Sequence, residues 1–241
     1  PEQMRYATNA DARHRMIAML QNRARQVGAK RIVFIYEASG TGFGLYDELR
    51  AAGIECHVVA PTKLARSWHE RKHKSDPVDA MLLLNLARGY VLAGNKLPLV
   101  WVPDQPLRAD REIVRGRLEV GTQVTKIKTQ IRCLLKRNSI KIEGSKSWGK
   151  GFALRVSKFC ENEQHPFGVR RALASLVRRL AWLEEDVDRL DKDMLLLARQ
   201  PRYALMCEEL RKEIGVGWLV AMVFITEMGD MTRFANRKDI G

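Results

Sequence analysis

Cysteine is scarce in this chain: four in 241 residues, Cys56, Cys133, Cys160 and Cys207, with no C-x-x-C pair among them. That spacing argues against a zinc ribbon or a disulfide-stapled miniprotein and suits a reducing compartment. Long apolar runs are missing too. The run at 219–225 falls far short of the roughly 20 residues that cross a bilayer, and no signal-peptide pattern opens the chain. The expectation is a cytoplasmic protein with no membrane partner. Acids are in deficit, 28 Asp and Glu against 42 Lys and Arg, for a net charge of +14. Aromatics are few, at 7%, yet 46% of residues are apolar, enough for a core in one or two domains. A basic, well-cored protein looks for a polyanion. His69 and His73 stand four apart with no third ligand near them, which reads as a solvated basic loop rather than a metal site.

Apolar positions Ile17, Leu20, Ala24 and Val27, behind the cap candidates Asn9 and Asp11, predict an amphipathic helix over 10–27. Next comes 31–37, with five consecutive apolar residues after Arg31, which predicts a central strand covered on both faces. A glycine-rich turn, a helix around 45–52 and a second strand at 55–60 complete a strand–helix–strand unit of the length that parallel neighbours need. Two strands do not make a stable sheet, so further partners for the first strand are expected before Pro1. The absence of an initiator Met and the mid-element look of 236–241 agree with that expectation of a fragment, or of a chain ordered only in part. A helix is expected from Asp76-Pro77 through Ala87. Long helical patterns at about 107–137 and 169–199 predict two helices packed antiparallel, as a coiled coil.

Charge is distributed in blocks. Between Pro61 and Ser75 lie Lys63, Arg66, Arg71, Lys72 and Lys74 against Glu70 alone. From Lys126 to Lys158 there are ten basic residues, Lys126, Lys128, Arg132, Lys136, Arg137, Lys141, Lys146, Lys150, Arg155 and Lys158, against the single acid Glu143. The second long helix carries the opposite sign in Glu184, Glu185, Asp186, Asp188, Asp191 and Asp193. A charge run is often no more than a solvated face. One-sided and interspersed with Trp148 and Phe152, this one points to nucleic acid.

Three acids stand out. Glu37 ends the first strand on the edge where open α/β sheets place their ligands. Asp76 and Asp79, three apart on one helical turn, could bind a divalent cation together with Glu37. The rival reading is that Asp76-Pro77 simply caps and starts a helix. Gly40, Gly42 and Gly44 have the spacing of a tight turn rather than of a dinucleotide loop. Gly215 and Gly217 lead into the apolar helix 218–228, where free backbone N–H groups could meet a phosphate, as in a helix–hairpin–helix, or simply make a turn.

Taken in order, Tyr36-Glu37-Ala38-Ser39-Gly40, residues 45–53, Val58-Val59-Ala60-Pro61, Lys74-Ser75-Asp76-Pro77-Val78-Asp79-Ala80, Trp101-Val102-Pro103 and Ile214-Gly215-Val216-Gly217 through Arg233-Phe234 resemble the DEDD-type insertion-sequence transposases, the bridge-RNA-guided recombinases. The resemblance covers nearly the whole chain, and the joint order shifts Asp76 and Asp79 toward the metal-binding role, although capping can coexist with it. It implies an α/β plus α fold: a RuvC/RNase H-like domain over 1–100 with its first strands missing, a helical coiled-coil linker over 101–205, and the start of a small C-terminal transposase domain over 206–241. By motif, Glu37, Asp76 and Asp79 match the second, third and fourth of four Mg²⁺-binding (or Mn²⁺-binding) acids. Nothing matches the first, and Asp11 does not take its place. The family's nucleophilic serine lies in the C-terminal domain, beyond the matched residues, so none of Ser39, Ser67, Ser75, Ser139, Ser145, Ser147, Ser157 or Ser175 inherits that role. The resemblance further implies donor and target DNA, a noncoding guide RNA, and a homodimer that becomes a tetramer in the synaptic complex. It leaves this chain as a nucleic-acid binder that does not complete the reaction alone. Two alternatives stand beside it: a RuvC-like metal-dependent junction resolvase or nuclease, and a non-catalytic nucleic-acid-binding scaffold.

Overall fold

The computed structural model describes residues 6–7, 9–40, 42–63, 76–142, 148–236, 238 and 240, and gives the backbone alone at Lys63, Asp76 and Lys150. The chain divides into two compact units, Pro1–Val102 and Pro103–Gly241.

In the first unit, α1 (Ala10–Gln26) starts where Asn9 accepts the Ala12 N–H at 2.9 Å, with Asp11 in its first turn and Arg23 and Arg25 in its last. Those charges complement the helix dipole. Strands β1 (Val33–Glu37) and β2 (Glu55–Val59) are joined by α2 (Gly44–Ala51) and pair in parallel, from Val33 opposite Glu55 to Glu37 opposite Val59. At the end of α2, Gly53 takes the left-handed conformation, φ +75°, and the Ile54 N–H donates back to the Leu49 carbonyl, which turns the chain straight into β2. A further extended segment lies on the other edge of β2, where Ala60 N–H donates to the Pro98 carbonyl and Val100 N–H to that of Val58.

Alternation along the strands sorts their side chains. Phe34, Tyr36 and Cys56 pack with Ile17, Leu49 and Ile54 into a core under α1 and α2. Val33, Ile35 and Glu37 therefore face the other way, toward the side that α3 (Asp76–Ala93) covers by packing on β1. The strand expected to be central departs from the expectation in degree. No residue of β1 is buried, whereas Cys56, Val58 and Val59 of β2 are. The reason is pairing: among the described residues β1 has a neighbour on one edge only, while β2 lies between two.

The second unit is helical. Helix α4 (Gln105–Arg137) begins at Asp104, which accepts the Leu107 N–H at 2.9 Å, with Pro106 in the first turn. It packs along α6 (Phe167–Ala198). Ion pairs Arg117–Asp191 at 2.6 Å and Lys128–Glu184 at 2.8 Å fix the antiparallel register, the first partner rising along the chain as the second falls. Ile127, Ile131 and Leu134 meet Leu173, Leu180 and Leu183 between them, and Val156 of α5 (Lys150–Glu161) joins the same core. Helices α7 (Ala204–Leu210) and α8 (Trp218–Met228) follow, with α8 packed on α4, α6 and α7. The periodic reading does not anticipate α5 or α7, both short. No helix among the described residues is long and apolar enough to cross a membrane.

The docking of α8 rests on one buried cation. Arg111, 8% exposed, donates from Nε to the Thr226 carbonyl at 2.6 Å and from Nη2 to the Glu227 carbonyl at 3.0 Å. These are last-turn carbonyls with no partner inside the helix. Arg233 serves Met228 in the same way at 3.1 Å, and Arg115 binds the Glu227 carboxylate at 2.6 Å. Burial pulls the Arg111 guanidinium below its ordinary pKa, against the pull of Glu227. Replacing Arg111 by Met, which fills space but donates nothing, should destabilise the second unit by roughly 2–4 kcal/mol. Urea unfolding followed by helical circular dichroism checks this, and an unchanged midpoint would show that the carbonyls find other donors.

Candidate functional site

All three nominated acids sit on two elements that pack together, Glu37 on β1 and Asp76 and Asp79 on α3. Glu37 ends β1 opposite Val59, and the sheet continues one residue further through Ala38 N–H to the Val59 carbonyl at 3.0 Å. Asp76 opens α3 with Pro77 behind it, and Asp79 stands half-buried one turn on. Pro at the first helical positions and Asp in the first turn start the helix well in any case.

What aims that turn is a cluster at the other end of α3. The Glu55 carboxylate, at the start of β2, receives Arg31 at 2.7 Å, the Tyr90 hydroxyl at 2.9 Å, and lies 2.7 Å from Nε2 of His57. Tyr90 also meets the His57 ring edge-on at 5.0 Å, with the Arg31 guanidinium 5.6 Å from its centroid. Tyr90 thus holds the last turns of α3 at the amino ends of the strands. About 16 Å of helix separates it from Asp79, and about 13 Å of strand separates Val33 from Glu37. A helix laid along β1 from that anchor carries its first turn to the carboxyl ends of the strands, where Glu37 stands.

The donor chemistry suits a hard divalent cation, which takes carboxylate oxygens. Among the described residues, no group of three or more His, Cys, Asp or Glu is gathered closely enough to hold one. The Asp76 side chain lies outside the described set, and no fourth acid is assigned. An open cleft of about 590 Å³ lies at the opposite end of the sheet, lined by Lys30, Arg31, Arg50, Gly53, Glu55 and His57, so it is not part of the acid site.

The Glu55 cluster has a signature that periodicity alone passes over. Glu55 and His57 alternate with the buried Cys56 and Val58, so one face of an otherwise apolar strand is polar.

The basic candidates separate into groups. Arg66, Arg71, Lys72, Lys74 and Lys146 lie outside the described residues, and for Lys63 and Lys150 only the backbone is described. Lys128 and Arg132 come together over Trp148, at 5.7 and 5.8 Å from its ring centroid, and Phe152 meets the same ring edge-on. Lys128 is also paired with Glu184, so its charge is largely spent within the protein. Lys126, Arg132, Lys136 and Arg137 are exposed on α4. Gly215 adopts the left-handed conformation, φ +87°, and Gly217 is the N-cap of α8, which has no side-chain cap. Arg211 lies over the Trp218 ring at 3.8 Å beside this turn. Sequence reading stops the basic run at Lys158 and so misses Arg170, Arg171, Arg178 and Arg179 on the first half of α6. Arg170 is used internally, on the carbonyls of His165 and Cys160. The four cysteines are free, and burial pushes the Cys56 thiol up to about 12.

A family model of the IS110-type DEDD transposases, described as a transposase, matches residues 2–139, the span that holds Glu37, Asp76 and Asp79. Two curated relatives agree. The chain is 29% identical over 228 residues to y4qE, a candidate transposase of Sinorhizobium fredii, covering 92% of this chain and 52% of that protein. It is 25% identical over 202 residues to the transposase for insertion sequence element IS1533 of Leptospira borgpetersenii, covering 83% of this chain and 56% of that protein. The chain thus spans about half the length of the curated relatives it matches.

Glu55 yields a pH prediction. Its carboxyl is lowered from 4.5 to about 2, first by the Arg31 hydrogen bond and then by His57 and Tyr90. A carboxylate with a depressed folded-state pKa contributes stability that is fully present above its unfolded value and is lost as pH falls toward the folded one. The first unit should therefore weaken between about pH 4.5 and pH 2. Thermal unfolding of wild type and Glu55→Gln across that window should converge as the pH falls. Parallel curves would mean that the cluster contributes nothing.

Proposed function

The chain belongs to the IS110-type DEDD transposase family, and we propose that it works in moving an insertion sequence, as the part of the enzyme that binds nucleic acid and holds a catalytic metal. The observation that carries this reading is the conjunction of two facts. The family match spans Glu37 and the first turn of α3, and α3 packs on β1, the strand that Glu37 ends.

In this reading 1–100 is the RuvC-like catalytic domain, 101–205 the linker and 206–241 the start of the C-terminal domain. Glu37, Asp76 and Asp79 would hold Mg²⁺ or Mn²⁺. The cation, when bound, stabilises negative charge that builds on a phosphate under attack. Glu37 and Asp79 supply the carboxylates, and the anchored α3 keeps Asp79 from swinging away from the strand end. No serine of this chain is assigned the attack on DNA. The basic residues from Lys126 to Lys158, those between Pro61 and Ser75, and the backbone at Gly215 and Gly217 contact phosphates of donor and target DNA and of a guide RNA. RNA would be recognised through shape, phosphates and unpaired loops, so that sequence choice resides in base pairing. Homodimers, and tetramers during exchange, are the assembly this reading implies.

Asparagine keeps the side-chain oxygen that caps a helix but loses the charge that a cation needs. In the complete element, Asp76→Asn, Asp79→Asn and Glu37→Gln should each reduce in-cell transposition by on the order of a hundredfold or more while the protein still folds. Transposition at the wild-type level in Asp76→Asn and Asp79→Asn would reduce those two residues to helix-starting roles.

A further inference from the structure

We propose that the face of the α4–α6 pair opposite α5 is a track for a single nucleic-acid strand, with Arg137 and Arg179 on phosphates and Trp182 stacking on an unpaired base. The proposal rests on the nucleic-acid-binding reading above and assigns it a surface, including residues of α6.

The two flanks of α4 differ. Lys128 and Arg132 project to the side where Trp148 sits, with α5. Gln130, Cys133 and Arg137 lie on the other flank, and Lys126 falls on the same stripe by the three- and four-residue spacing of a helix. There Gln130, Cys133, Leu134 and Arg137 line an open groove of about 400 Å³ against Ala172, Ser175 and Leu176 of α6.

Its rims are cationic. Arg171, Arg178 and Arg179 are exposed on α6, and Lys126, Lys136 and Arg137 are exposed on α4. Between residues 126 and 180 there are fourteen Lys and Arg against three acids, Glu143, Glu161 and Glu163. One turn on from Arg178 and Arg179, Trp182 holds its ring in solvent, 59% exposed. Immediately after it the sign reverses at Glu184, Glu185 and Asp186, which ends the favourable field. An exposed indole beside arginines, with a basic groove leading to it, has the components of a single-strand platform: phosphates tracked by cations and a base stacked on an aromatic face. A second copy of this chain is the poorer occupant, since two such faces would bring like charge against like charge.

The test uses Cys133, the exposed thiol in the groove, as a reporter, with the half-buried Cys160 on α5 as the internal control. Alkylation of each thiol is followed by mass spectrometry with and without single-stranded RNA, single-stranded DNA and duplex DNA of one sequence, about 30 nucleotides long. Single strands should slow Cys133 alkylation several-fold and leave Cys160 unchanged; the RNA and DNA arms show which strand is preferred. Arg137→Glu with Arg179→Glu should weaken single-strand binding at least about tenfold and flatten its salt dependence by about 1.4 in log–log slope. Trp182→Ala should cost single strands about tenfold and duplex little, with Trp182→Phe restoring most of the loss. Tight binding with Cys133 still freely reactive would overturn the track and leave the broader function standing. Failure to bind any of the three at low salt would overturn both. Protection of Cys133 that grows with protein concentration alone would give the groove to a second copy and overturn the proposal.

Discussion

The Glu55 carboxylate is the fixed point of the first unit. It gathers a guanidinium, a phenol and an imidazole from three places in the chain: His57 lies on β2 itself, and Arg31 stands just before β1. The third, Tyr90, belongs to the helix that starts with Asp76 and Asp79. A charge-assisted cluster of this kind restrains orientation as well as distance. The Tyr90 contact thus ties the later turns of α3 to the start of β2, and the same helix packs on β1, the strand that ends at Glu37.

The second unit meets a different constraint with a similar device. Helix α8 is apolar along most of its length, and its last carbonyls would be costly to bury unpaired. Arg111 reaches them from α4, so the longest helix supports the last one through backbone groups rather than side-chain packing alone. The same α4 carries, toward its other end, the basic surface that turns to α5 on one flank and to the open groove on the other. One helix thus carries arginines of two kinds, separated by burial: Arg111 is enclosed, Arg137 is exposed.

Much of this was legible from residue order. Continuous apolarity at 32–36, a turn ending at Gly53 and a second apolar run made the parallel strand pair readable, and the helical patterns of 107–137 and 169–199 made the long helices readable. The degree of burial was not. β1 is as apolar as a central strand but has one neighbour among the described residues, a fact of pairing and not of composition. Helix α5 was hidden by its charge, because Lys150, Arg155 and Lys158 read as part of a basic run while Phe152 and Val156 were turning inward. Of the site, the acids could be nominated by motif, but the Glu55 anchor could not, since Arg31 and Tyr90 lie far from it in sequence. The α6 arginines were overlooked because they are near α4 only after the hairpin has folded.

The central claim is that Glu37 and Asp79 serve one cation. Its most direct measurement is Mn²⁺ binding to the purified chain, read by electron paramagnetic resonance of the free ion, for wild type, Glu37→Gln, Asp79→Asn and the distant control Asp191→Asn. The account predicts a site in the wild type and the control that is weakened alike by Glu37→Gln and Asp79→Asn, with no further loss when the two changes are combined. Equal binding by all four proteins, or independent and additive losses at the two acids, would contradict it.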